Sequence, residues 1–117
     1  MKKITTLIIL VLTVCTLSAQ GITGTWQGAL ETPNGTLRIN FNISSTDNGY
    51  TSTLDSPDQN AFGIPVDSTI FKMSELTIKV TNLGLQYSGK LVDKTNIEGM
   101  LTQMGQSFEV NLKKKTE

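Results

Sequence analysis

The chain has 117 residues, with ten Lys or Arg against ten Asp or Glu, no histidine and one cysteine. The missing histidine removes the commonest general base and the commonest neutral metal ligand, and a lone cysteine cannot form an internal disulfide. The length suits one domain with a core large enough to hold without cross-links.

In chain order, Lys2 and Lys3 precede the apolar run ITTLIILVLTV, which gives way to CTLSAQ. A basic start, an apolar stretch and a small residue predict a secretory signal over residues 1–19, cleaved after Ala19. The run is too short to span a bilayer comfortably. The expected location is therefore periplasmic or extracellular. The competing reading is a lipoprotein acylated at Cys15, but Val14 stands where a lipobox takes Gly, Ala or Ser. The mature domain, 20–117, then carries eight basic and ten acidic side chains and no cysteine. Its only cluster of basic residues is Lys113–Lys115 at the tail, which reads as a solvated end. Phosphate recognition needs more clustered charge than that, so no nucleic-acid partner is expected.

Apolar residues recur with period two. Ile22, Gly24, Trp26, Gly28 and Leu30 share a face, as do Leu37, Ile39, Phe41 and Ile43. The pattern returns at Leu76, Ile78 and Val80, at Leu85, Tyr87, Gly89 and Leu91, and at Phe108, Val110 and Leu112. PNG at 33–35 and DNG at 47–49 offer residues that accept positive φ, as tight hairpin turns require. Shorter corners fall at MSE 73–75, NLG 82–84, KTN 94–96 and MGQ 104–106. This predicts eight strands, over 22–31, 35–45, 49–55, 63–72, 76–82, 85–92, 96–103 and 106–114. Adjacent Ile70 and Phe71 make the fourth irregular, with one facing outward or a bulge between them.

Consecutive hairpins make a meander. The expected fold is all-β, an eight-stranded antiparallel up-and-down barrel, with a β-sandwich as the alternative. Glycines at 24, 28, 89 and 99 on apolar faces suit strands that bend or approach closely. Strand parity puts the turns after strands one, three, five and seven at one end. That end holds Asn34, Asp55, Asp58, Gln59, Asn60, Asn82 and Gln103, and the longest connection, DSPDQNAFGIPV. The chain termini lie at the other end.

GTW at 24–26, opening such a meander, resembles the Gly-x-Trp signature of lipocalins and the wider calycin group. Lipocalins also set a basic residue from a late strand over that tryptophan, whereas Lys113 alternates outward. A closer similarity is to the small N-terminal β-domain that precedes the catalytic domain in some secreted bacterial serine α/β-hydrolases. It rests on ITGTWQGAL, LRINFNI, TDNGY, DSPDQ, GIPV and GQSF, spread over nearly all of the mature chain. The 117 residues contain no Gly-x-Ser-x-Gly nucleophile elbow. The resemblance therefore implies an accessory domain, here standing alone, and does not carry esterase chemistry to this chain.

The remaining candidates follow from residue chemistry. Ser56 and Ser107 have no spaced base, so no catalytic residue is expected and the chain reads as a non-enzyme. Asp55, Asp58 and Asn60 could offer oxygens to calcium, but their spacing fits turn-forming side chains better, and no metal or other cofactor is expected. Trp26 reads as a core anchor. Asp58, Gln59 and Asn60 on the long loop, with Tyr87 on an inner face, are the candidate residues for binding a ligand or partner. Met100, Thr102 and Met104 share an outer face that offers a minor apolar contact surface. Two functions stay open beside a third, an enzyme using carboxylates alone, which would need them paired in one cleft. One is an exported non-catalytic accessory or interaction domain, with a protein partner such as a separately encoded hydrolase. The other is a carrier holding a small apolar ligand in a calycin-like barrel.

Overall fold

The computed structural model describes residues 21–115. The signal segment 1–19, with Cys15 and Val14, lies outside the described residues. Ten strands form one antiparallel sheet: β1 Gly24–Thr32, β2 Gly35–Thr46, β3 Gly49–Ser56, β4 Ala61–Pro65, β5 Ser68–Lys72, β6 Glu75–Val80, β7 Leu85–Asp93, β8 Asn96–Gln103, β9 Gln106–Glu109 and β10 Leu112–Lys114. Among the described residues no helix is long and apolar enough to cross a membrane.

The sheet runs in the order β4-β3-β2-β1-β10-β8-β7-β6-β5, with β9 also on β8. It curls into a half-barrel and does not close. The expected count of eight and the expected closure are both corrected here, and the causes are local. The fourth expected strand breaks at Val66 and Asp67. Pro65 has no N–H for the ladder, and it is the last residue of β4 on β3, opposite Thr53. Three residues later the chain has gone over to β6, with Ser68 opposite Lys79. Asp67 fixes the crossing, its N–H donating to the Lys79 carbonyl at 2.9 Å while its carboxylate accepts the Thr81 N–H. The eighth expected strand breaks at Val110 and Asn111, between β9 on β8 and β10 on β1 and β8.

No ladder joins the facing strands β5 and β3. Side chains bridge that seam instead: the hydroxyls of Ser52 and Thr69 lie 2.6 Å apart, and the rings of Tyr50 and Phe71 meet edge to face at 6.2 Å. Ile70 points out at 47 % exposure while Phe71 packs inward, in an unbroken register with β6. The irregularity expected at this pair is thus an outward-facing isoleucine, not a bulge.

The concave face carries the core. Ile22, Trp26, Phe41, Ile78, Tyr87, Ile97, Leu101 and Val110 are fully buried. The Trp26 indole N–H donates to the Ile22 carbonyl at 2.9 Å, so the largest side chain is buried with its one polar atom satisfied. Lys114 stands opposite Trp26 in register, and its stem fills the space over Gly24, where a Cβ would sit 2.8 Å from Lys114 Cε. Simple alternation along β10 turns Lys114 inward and Lys113 outward.

Candidate functional site

The end bearing the long loop holds a cavity of about 350 Å³. Its walls are Leu30 of β1, Leu37 and Ile39 of β2, Leu54 of β3 and Leu101 of β8. Ala61 and Ile64 of β4 close one side, and Leu83 and Leu85 the other. Among the described residues three polar side chains complete it, Ser56, Gln59 and Gln103, and none is charged. This is the end to which strand parity assigns the odd-numbered turns. The cup exists because the walls are Leu, Ile and Ala, while the bulky Trp26, Phe41 and Tyr87 fill the middle of the half-barrel.

The long loop forms the lip of the cup. Pro57–Gln59 makes one 3-10 turn, closed by the Asn60 N–H donating to the Pro57 carbonyl at 3.0 Å. Asn60 then takes the left-handed conformation, φ 57°, which asparagine tolerates better than most side chains. Gly63, at φ 67°, turns the chain again. Asp55 secures that turn, one oxygen accepting the Gly63 N–H at 2.8 Å and the other the Asn42 side-chain amide at 3.0 Å. The Asn42 bond, with help from Gly63, holds the Asp55 carboxyl below its ordinary pKa.

Asp58 ties the lip to β2. β3 pairs with β2 only as far as Asn40 opposite Asp55, so the Arg38 backbone N–H has no strand partner on that side. The Asp58 carboxylate accepts it at 2.8 Å and also takes the Arg38 guanidinium at 2.8 Å. A side chain thus completes the hydrogen bonding that the strand leaves unfinished. The same contacts, the Arg38 side chain first, hold the Asp58 carboxyl below its ordinary pKa.

Gln59 follows directly and contributes to the cup's lining. Its side-chain carbonyl accepts the Ser56 hydroxyl at 2.6 Å. Across the cup, Gln103 donates its side-chain amide to the Leu83 carbonyl at 3.1 Å. The cup walls therefore present mainly apolar surface, with one atom of each glutamine amide already hydrogen-bonded.

The candidate residues separate accordingly. Gln59 lines the cup, Asp58 positions the turn that carries it, and Asn60 shapes that turn. Tyr87 is not with them. It is fully buried, its ring is 5.6 Å from that of Phe41, and its hydroxyl donates to the Val110 carbonyl at 2.8 Å. Burial raises its pKa well above the usual phenol value. Apolar Leu83, Ala61 and Leu101 were not singled out from sequence, because alternation marks a residue as inward without saying whether anything fills the space it faces. Asp55 and Asp58 are committed to different partners, and among the described residues no three Asp, Glu, His or Cys stand together as a metal site would need. Met100 is 46 % and Met104 83 % exposed on the outer face.

Comparison with protein-family models, with curated proteins and with solved structures finds no match to this chain.

Proposed function

We propose that the domain is a non-catalytic binding module that carries a small, mainly apolar molecule in the cup at its loop-bearing end. The observation that supports this reading is the 350 Å³ cavity with nine apolar lining residues. Its volume falls in the range of small-molecule sites, which are largely apolar with a few placed polar groups. An open apolar cup loses contacts that a filled core would make, and an apolar occupant restores them. Of the two functions left open by the sequence, the carrier draws support from this cup. Export of the chain and work beside a separate hydrolase remain compatible proposals.

The test is titration with N-phenyl-1-naphthylamine, a neutral dye that brightens in apolar surroundings. The wild-type domain is expected to bind it saturably. Ala61→Trp, which fills the cup from its β4 wall, is expected to abolish binding while the domain stays folded by circular dichroism. Equal binding by the two proteins would overturn the cup as the site.

A further inference from the structure

We propose that the cup selects a neutral amphiphile, a short aliphatic or ring body bearing one hydroxyl-like group that both donates and accepts a hydrogen bond. The inference rests on the carrier reading and adds the chemical class of the cargo.

Charge is excluded first. Among the described residues the lining holds only Leu, Ile, Ala, Ser and Gln. The nearest ion pair, Arg38 with Asp58, is internally satisfied, and Arg38 lies on the outer side of β2, since Leu37 and Ile39 on either side of it face the cup. A carboxylate or ammonium entering such a cup would lose water and gain no counter-charge, a transfer that strongly disfavours the ionised form. A neutral head loses far less.

The polar groups then set the head. The Ser56 hydroxyl gives its one hydrogen to the Gln59 carbonyl, and the Gln59 NH₂ group, with no acceptor among the described residues, is left as a donor. One N–H of the Gln103 amide goes to the Leu83 carbonyl, which leaves the Gln103 side-chain carbonyl as an acceptor beside its second N–H. A hydroxyl can accept from the first and donate to the second. An ether can only accept, and an alkane does neither. The volume suits a body near eight carbons, since the 350 Å³ cavity is about a dozen liquid-water volumes.

The experiment is displacement of N-phenyl-1-naphthylamine at pH 7 by four ligands of one chain length: 1-octanol, methyl octyl ether, octanoate and octylammonium. Octanol is expected to compete at least tenfold better than either ion, and several-fold better than the ether. The octanol-to-ether ratio is then measured in Gln103→Leu and Gln59→Leu. It is expected to fall towards one, and because it compares two ligands in the same protein, a general loosening cannot imitate it. Gln59→Glu, on an exposed turn, is a second variant that places one negative charge at the lip. It should raise octylammonium above octanoate by tenfold or more. Octanoate competing as well as octanol in wild type would overturn the neutral-head inference while leaving the carrier reading intact. Unchanged binding of the dye by Ala61→Trp would instead remove the carrier reading itself.

Discussion

Tyr87 donates its hydroxyl to the Val110 carbonyl, 23 residues away, at 2.8 Å, at the point where the last strand breaks between β9 and β10. Val110 also donates its N–H to the Gly99 carbonyl at 2.9 Å. The break therefore leaves neither Val110 backbone group unpaired, although it interrupts the ladder. Tyr87→Phe keeps the ring and removes the donor, stranding a buried carbonyl. Such a loss typically costs ~1–3 kcal/mol, and each kcal/mol moves the Tm of a domain this size by roughly 4–8 °C. Thermal unfolding should show that drop with no loss of dye binding, since Tyr87 is not part of the cup's lining.

Space for the tyrosine comes from two facing glycines. Gly89 and Gly99 are register partners on β7 and β8. A Cβ on Gly99 would stand 2.6 Å from both the Tyr87 hydroxyl oxygen and the Gly89 Cα, and closer still to the Ser88 carbonyl. Two of those neighbours are backbone and cannot swing aside. Gly99→Ala is expected to destabilise by ~1–3 kcal/mol or more, as overpacking does. Gly35→Ala, at a turn where φ is 123° but nothing stands within 4 Å, separates backbone strain from crowding. If Gly99→Ala unfolds in urea at the wild-type midpoint, the close packing around Tyr87 is wrong.

Acid should weaken the fold, and neutral pH should not. Asp55, Asp58, Asp67 and Asp93 all have carboxyls held below their ordinary pKa by hydrogen bonds, to Asn42, Arg38, Thr81 and Thr95 first in each case. A lowered folded-state pKa contributes stability that is complete above the unfolded value of ~3.9 and is lost as pH falls through the folded values. With no histidine in the chain, no side chain has an ordinary pKa near neutrality. Tm measured against pH should be flat from about pH 5 to 8 and fall below about pH 4. Asp58→Asn should make the acid fall shallower, because one of the linked protons is gone.

Much of this architecture is legible in the sequence, and what is not has specific causes. Period-two alternation places Phe41, Ile43, Ile78 and Leu112 inward, and all are buried. PNG and DNG mark the first two hairpins at the positions where β1 meets β2 and β2 meets β3. Alternation cannot show that a strand changes partner midway, because Val66 and Val110 continue the apolar pattern through both breaks. The count of strands and the open seam follow from those two places. The sequence marks Gln59 only by its place on the long loop, and the structure gives it both a bond to Ser56 and a place on the cup. The Asp58–Arg38 link was invisible because it depends on β2 outrunning β3, a matter of register between distant segments. The end of the molecule that holds the cup follows from parity, but its emptiness is a volume, and sequence carries no direct record of volume.

The tether at Asp58 and the cup lip at Gln59 are adjacent in the chain, so loosening one should be felt at the other. Asp58 makes two separable contacts, a backbone bond to the Arg38 N–H and a pairing with its guanidinium. Asp58→Asn keeps an oxygen for the N–H and gives up the ionic pairing, while Asp58→Ala gives up both. The pair is solvent-exposed, with Arg38 at 66 %, so its ionic part contributes little to global stability. The N–H bond matters locally, because it is what holds the turn against β2. Hydrogen exchange of the amides over 58–60 should therefore quicken in the order wild type, Asn, Ala, with the larger step at Ala. Dye dissociation from the cup should quicken in the same order, with Tm nearly level across the first two proteins. A larger step at Asn than from Asn to Ala would show that the ionic pairing, not the backbone bond, holds the lip.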